Sequence, residues 1–238
     1  MSKHATTRSL RRETGMSNTR LVLIRHGESQ VTVKRILGGP RSCTGLSPLG
    51  RQQAERLRDR FLSTAEIRPD VIISSGYPRA LETANIVASG LGSLPVQVDT
   101  AWGEHDPGPE CDGMKYEDFV ARFGHVDWSG DPDGVTFLGG ETVAEFSQRV
   151  RGAVFNAINM YEGKTIVVFC HGGVIDASLR RALNVPVVGG FDIYTLNTSV
   201  TEFVHTGTNK WQLLRYNDSA HLAGLPSSTL SSHEPSGK

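Results

Sequence analysis

Twice in this chain a short, wholly apolar run ends on a histidine followed by glycine. Leu21–Ile24 leads into Arg25-His26-Gly27-Glu28, and Thr165-Ile166-Val167-Val168-Phe169 leads into Cys170-His171-Gly172-Gly173. Apolar runs without polar alternation suit strands covered on both faces, as in a parallel or mixed sheet held between helices. Val71-Ile72-Ile73 reads the same way, and each run is followed within a few residues by a helical pattern. That rhythm predicts an α/β fold. In open α/β sheets ligands bind beyond the carboxyl ends of the strands, so two such ends can bring two imidazoles together. Arg79, in Ser74-Ser75-Gly76-Tyr77-Pro78-Arg79-Ala80, stands where a third strand enters a helix, and there a guanidinium and free backbone N–H groups can face one anion. A lone histidine after a strand is usually structural. Two of them with two strand-end arginines point to a site.

The remaining elements follow from caps and periodicity. Ser47 as N-cap with Pro48 at the first helical position predicts a helix to about Leu62. Others are predicted over Arg79–Ser89, Thr142–Met160 and Gly173–Leu183, with a late hairpin of Val200–His205 and Trp211–Tyr216 across a Thr-Gly-Thr-Asn turn. The Gly- and Pro-rich stretch 104–140 carries aromatics at Tyr116, Phe119, Phe123, Trp128 and Phe137. A connection this long reads either as an active-site lid or as an excursion with one short helix, near Tyr116–Phe123, packed on the core.

The 238 residues balance 25 Lys and Arg against 25 Asp and Glu, so the chain lacks the cationic excess that holds nucleic acid or an anionic membrane. The length fits one domain with a real core. Residues 20–218 are read as that domain, residues 1–19 as a basic, flexible extension with net charge +3, and residues 219–238 as a disordered Ser/Pro/Gly-rich tail. Met16 stands just before the first strand and is a candidate alternative start. Cys43, Cys111 and Cys170 are odd in number and form no C-x-x-C pair, a pattern of reduced, cytoplasmic proteins. No run reaches the roughly 18 apolar residues of a membrane span, and the first 19 residues hold no secretory apolar run.

Taken in order, Leu23-Ile24-Arg25-His26-Gly27-Glu28-Ser29, Leu46-Ser47-Pro48-Leu49-Gly50, Ser74-Ser75 with Arg79-Ala80 and Thr83-Ala84, Gly140-Glu141-Thr142 and His171-Gly172-Gly173 resemble the motifs of the histidine phosphatase superfamily, which includes cofactor-dependent phosphoglycerate mutases. The resemblance covers about residues 20–222, and Asn217-Asp218 with His221-Leu222 looks like the family's C-terminal end. It implies a three-layer α/β/α sandwich with a mixed, mostly parallel central sheet of the phosphoglycerate mutase-like kind. It also implies a homodimer as one assembly, and no cofactor.

By family analogy His26 attacks phosphorus and forms a phosphohistidine that water hydrolyses, a role suited to a neutral imidazole. Arg25, Arg79, His171 and the N–H of Gly172 are then the phosphate-binding groups, because phosphoryl transfer depends on fixed cations and donors around the equatorial oxygens. One carboxyl group can protonate the leaving oxygen and later deprotonate the water. Glu104, in Trp102-Gly103-Glu104-His105-Asp106-Pro107-Gly108, matches the family position for it. Asp106 is the competitor, with turn capping as its alternative role. Thr32, Lys34, Arg35, Gly38 and Gly39, in the loop after His26, are candidate substrate contacts, and a solvated basic loop is the other reading of Lys34, Arg35 and Arg41.

Thr32 and Cys43 replace the family's usual Asn and Asp, and the mutases' Glu-Arg-His-Tyr-Gly segment and Arg-rich insert are missing, which favours hydrolysis over isomerisation. Residues 104–134 carry nine acids and two bases, a net charge of −7, so a substrate with a neutral or cationic body is expected. A Cys-dependent phosphatase needs Arg six residues after Cys, and those positions hold Leu49, Glu117 and Asp176. Neither a serine-hydrolase elbow, a P-loop nor a metal motif occurs. The expected function is a phosphatase acting on a small phosphorylated metabolite. The alternatives are a mutase-like isomerase and a non-catalytic binding protein on the same fold.

Overall fold

A computed structural model describes residues 18–207 and 210–227. Strand β1 (Thr19–Arg25) is followed by a single turn, α1 (Gln30–Val33), and then by α2 (Pro48–Thr64). Next come β2 (Val71–Ser74), α3 (Pro78–Val87), β3 (Val96–Val98), the short α4 (Gly108–Cys111) and α5 (Tyr116–Phe123). The chain closes with α6 (Val143–Met160), β4 (Thr165–Cys170), α7 (Gly172–Leu183) and the hairpin β5 (Val200–His205) and β6 (Trp211–Asp218).

The six strands lie in the order β3-β2-β4-β1-β5-β6. β3, β2, β4 and β1 run parallel, while β5 pairs antiparallel with β1 and with β6. The apolar runs are continuous because both faces of these strands are covered. Leu21, Leu23, Ile166 and Val168 face Phe146, Val150 and Val154 of α6 and Ile175 and Leu179 of α7. Val22, Ile24, Val167 and Phe169 face Leu57 and Phe61 of α2 and Ala84 and Val87 of α3. This is the expected three-layer sandwich with a mixed sheet. β1 and β4 pair in register, Arg25 opposite Cys170, so His26 and His171 leave the sheet side by side.

Several boundaries differ from the sequence reading. Thr19 already belongs to β1, its hydroxyl accepting the Gly163 N–H at 2.9 Å, so the extension ends earlier than expected. Residues 1–17 lie outside the described part, as do residues 208–209 of the hairpin turn and residues 228–238 of the tail. The first part of that tail is ordered. Ala220–Leu222 forms a 3-10 turn, and His221 Nε2 meets Thr198 Oγ1 at 2.9 Å, the ring donating because the Thr198 hydroxyl already donates to the Asn197 carbonyl. β3 was not anticipated. It has three residues at the sheet edge and too little burial to leave an apolar run. No helix among the described residues is long and apolar enough to cross a membrane.

Stretch 104–140 has a small core of its own, Cys111, Phe119 and Phe137, with Leu37 and Met114 packed on it. Its acids mostly hold backbone. Asp112 accepts the N–H groups of Gly39, Arg41 and Ser42, tying this stretch to the loop after His26. Asp106, Asp127 and Asp131 each accept an N–H two residues on, from Gly108, Ser129 and Asp133, and so close turns.

Candidate active site

His26 sits where β1 ends, its backbone N–H on the Cys170 carbonyl and its own carbonyl accepting from Asn197 Nδ2. Its Nδ1 lies 2.7 Å from the Gly27 carbonyl, which can only accept, so the ring proton is on Nδ1. Nε2 therefore presents a lone pair, and Arg79 Nε donates to it at 3.1 Å. Burial pushes the His26 pKa well below the ordinary 6.5, with Arg79 and then Arg25 acting in the same direction. The imidazole is held neutral, tautomer fixed, with its unprotonated nitrogen on Arg79.

The neighbouring motifs fix that geometry. The Gly27 N–H donates to Thr83 Oγ1, whose hydroxyl donates to the Arg79 carbonyl one helical turn back. Ser47, the N-cap of α2, accepts from the Gly50 N–H and donates to Glu28 Oε1, while Gln53 accepts the Glu28 N–H. Gly50 must be glycine: a Cβ there would lie 2.0 Å from the Glu28 carbonyl oxygen.

Arg79 also donates Nη1 to the Gly38 carbonyl at 3.0 Å and stacks on Tyr77 with its Cζ 4.5 Å from the ring centre. Arg25 donates Nη1 to the Thr195 carbonyl, whereas its buried Nε has no partner. His171 is fully buried, 5.1 Å from His26 between ring centres and in edge contact. Its Nε2 meets Ser75 Oγ at 2.7 Å, and its buried Nδ1 has no partner. Burial first, then Arg79 and His26, depress its pKa as well. Two buried polar nitrogens, Arg25 Nε and His171 Nδ1, thus have no hydrogen-bond partner among the described residues and lie beside the neutral His26 imidazole.

A cavity of about 380 Å³ opens here, lined at one end by Arg25, His26, Arg79, Glu104, Gly172 and Gly173. His171 lies behind this wall rather than on it. Glu104 accepts the His105 N–H through Oε1 and the Gly173 N–H through Oε2. Its main chain is clamped by Arg149, which donates to the carbonyls of Ala101, Gly103 and Glu104 and pairs with Glu141 at 2.6 Å. Asp106 does not line the cavity, in keeping with its turn-closing bond.

Of the candidate substrate contacts, Thr32 and Gly38 line the cavity. Lys34 and Arg35 are exposed and do not reach it, because the loop turns at Arg35, whose φ of 51° is left-handed. Gly39 is taken up by Asp112, a carboxylate that a Cβ would overlap at 2.5 Å. Of the nine acids in 104–134 only Glu104 lines the cavity, so the charge of that stretch is not the charge of the wall. Residues that sequence reasoning missed come from far along the chain: Asp176 and Arg180 of α7, and Asp192, Tyr194 and Thr195 before β5.

The buried imidazoles make stability depend on pH. His221 is pushed down to about 4 by burial and by Arg60. A group with a depressed folded pKa stays neutral while the unfolded chain takes up a proton, so stability is full above 6.5 and falls as pH drops towards the folded value. Denaturant unfolding at pH 7.5 and 4.5 is expected to show a loss of about 2–3 kcal/mol from His221 alone. His26 and His171 add in the same direction. A flat profile over that window would contradict these assignments.

A neutral imidazole, two arginines and one carboxyl group thus gather beyond the carboxyl ends of β1 and β4, an arrangement suited to binding a phosphoryl group, and no cluster of metal-ligating side chains occurs among the described residues. Residues 21–219 match the family model of the histidine phosphatase superfamily (branch 1), and the chain belongs to that superfamily. It is 31% identical over 205 residues to phosphoglycerate mutase-like protein 4 of Arabidopsis thaliana, covering 85% of this chain and 86% of that one. Mycobacterial glucosyl-3-phosphoglycerate phosphatase superposes with a TM-score of 0.71 at 27% identity, over 85% of this chain and all of that one. A phosphoserine phosphatase from Entamoeba histolytica, solved with phosphoserine, gives 0.69 at 26% identity, over 86% of this chain and 99% of that one. The fold is thus that of the phosphoglycerate mutase-like histidine phosphatases.

Proposed function

We propose that the chain hydrolyses a small phosphomonoester in the cytoplasm through a phosphohistidine at His26. The observation that carries this reading is the His26 ring, with Nδ1–H held by the Gly27 carbonyl and Nε2 facing Arg79 and the cavity. As Arg79 turns from Nε2 to the phosphoryl oxygens, the released Nε2 lone pair forms the N–P bond while the P–O bond to the alcohol breaks. Glu104 gives a proton to the departing oxygen, and Arg25, Arg79 and the Gly172 N–H meet the charge on the phosphoryl oxygens, with His171 packed behind them against the His26 ring. Water then attacks phosphorus, Glu104 takes a proton from it, and the N–P bond breaks to release phosphate and restore His26. The cytoplasmic assignment rests on Cys43, Cys111 and Cys170, all free and buried, the Cys170 thiol being pushed up by burial and so unreactive.

Hydrolysis is favoured over isomerisation by the supply of cations. A mutase must retain a doubly phosphorylated intermediate. Among the described residues, the one arginine or lysine on the cavity wall apart from Arg25 and Arg79 is Arg180, whose Nε, Nη1 and Nη2 donate to Asp176 and to the carbonyls of Pro186 and Phe191.

Glu104→Gln tests the proton-transfer role. For alkyl phosphates, whose leaving oxygen needs the proton, kcat/KM is expected to fall about 100-fold or more. For p-nitrophenyl phosphate, whose phenolate leaves unaided, the fall in kcat/KM should be far smaller. Equal losses on both substrates would remove Glu104 from that role.

A further inference from the structure

The cavity lining is made of two chemically different sets of side chains. One is the set of phosphate-binding groups just described. The other is a cluster of rings contributed mostly by stretch 104–140. His105 packs edge-on or tilted against Trp128, Phe137 and Phe146, with ring centres 5.7, 5.4 and 5.3 Å away, and Trp128 lies 6.1 Å from Phe137. All four rings line the cavity. Phe119 packs behind Phe137 at 5.4 Å, so the wall is backed by the stretch's own apolar core. Both ring nitrogens of His105 are buried without a partner, which leaves its ring to act as one more flat surface. Pro107, Val143, Val187 and Ile193 add to the apolar lining.

Apart from Arg25, Arg79 and Glu104, the charges of the lining are acidic or spent. Asp176 is paired with Arg180 at 2.7 Å. Asp192, exposed on the cavity wall, makes no ion pair among the described residues. Beyond Arg25 and Arg79, the lining offers a substrate carboxylate or second phosphate no free cation among the described residues. A ring or apolar chain would meet ring faces, and a neutral or positively charged substituent would meet Asp192.

Building on the phosphatase reading, we propose that the substrate is a singly phosphorylated molecule with an aromatic or similarly flat apolar body and no second acidic group, specificity being set by Trp128, Phe137 and Asp192. The cavity's size, about 380 Å³, suits a phosphate and one ring system. Phosphorylated acids, of the kind named for two of the related structures, fit the wall poorly.

The test uses three probes whose leaving groups are all alkyl alcohols, so that leaving-group acidity does not decide the outcome: 2-phenylethyl phosphate, glycerol 3-phosphate and 3-phosphoglycerate. The wild type is expected to show kcat/KM values falling in that order, with at least about 30-fold between the first and the last. Trp128→Ala should reduce the preference for 2-phenylethyl phosphate over glycerol 3-phosphate about tenfold, mainly through KM. Asp192→Asn should raise 3-phosphoglycerate severalfold relative to glycerol 3-phosphate. Both side chains are exposed, so both variants are expected to fold. If 3-phosphoglycerate is hydrolysed as well as 2-phenylethyl phosphate, or if the Trp128→Ala preference is unchanged, the substrate class is wrong while the phosphatase reading stands. If none of the three probes nor p-nitrophenyl phosphate releases phosphate, the phosphatase reading itself fails.

Discussion

Replacing His26 by Ala is expected to lower phosphate release by about 10⁴-fold or more, the scale seen when a nucleophile that works as part of a unit is removed. The loss should appear in kcat, because the substituted chain retains Arg25, Arg79 and the cavity walls that bind the phosphate. Folding should survive. What anchors this corner is mostly main chain, the His26 N–H on Cys170 and the His26 carbonyl on Asn197, and Ala keeps both. A measurement of phosphate release with far-ultraviolet circular dichroism on the same preparation separates the two effects. Matching rates for wild type and His26→Ala would end the proposed mechanism.

Arg79→Lys is the second large effect, expected at about 10²–10³-fold in kcat/KM, the range for removing one preorganised donor around a developing charge. The arginine performs three tasks at once: Nε on His26 Nε2, Nη1 on the Gly38 carbonyl and a guanidinium face on Tyr77. A lysine has one compact ammonium group and no planar fork, so it keeps the charge and loses the geometry. Since both residues act on one phosphoryl group, the double variant His26→Ala/Arg79→Lys should be hardly worse than His26→Ala alone. Steady-state kinetics on the three proteins reads this directly. Additive losses would mean that Arg79 serves something other than the phosphoryl transfer at His26.

The sandwich was readable because its strands are buried twice. Leu21–Ile24 and Thr165–Phe169 have no polar alternation, and the structure places their successive side chains on α6 and α7 at one face and on α2 and α3 at the other. β3 was unreadable for the opposite reason, being a three-residue edge strand with little burial. The residues at strand ends, His26, His171, Arg25 and Arg79, were legible from local motifs because the parallel register of β1 and β4 converts a repeated sequence pattern into adjacency.

Long-range partners were not legible. Arg149 clamps the main chain on either side of Glu104 from two helical turns beyond Glu141, and nothing in its surroundings marks it out. Thr195 and Asn197 reach Arg25 and His26 through carbonyl and amide bonds that any sequence could make. The acids of 104–134 carried a misleading signal. Summed charge predicted an acidic wall, but an Asp two residues before a Gly, Ser or Asp more often closes a turn, as Asp106, Asp127 and Asp131 do. The carboxylates that flank the cavity body are Asp176 and Asp192, outside that stretch. The basic loop likewise failed as a set. Its charged tips Lys34 and Arg35 point away, and it is Thr32 and Gly38 that border the site.

The central claim is that phosphorus is attacked twice, by His26 and then by water. Each in-line displacement inverts the configuration at phosphorus, so a substrate made chiral with oxygen isotopes and sulfur, hydrolysed in isotopically labelled water, reports the number of displacements regardless of whether the intermediate accumulates. Two displacements predict a phosphate product with net retention. Net inversion would mean that water attacks the substrate directly, and would contradict the account.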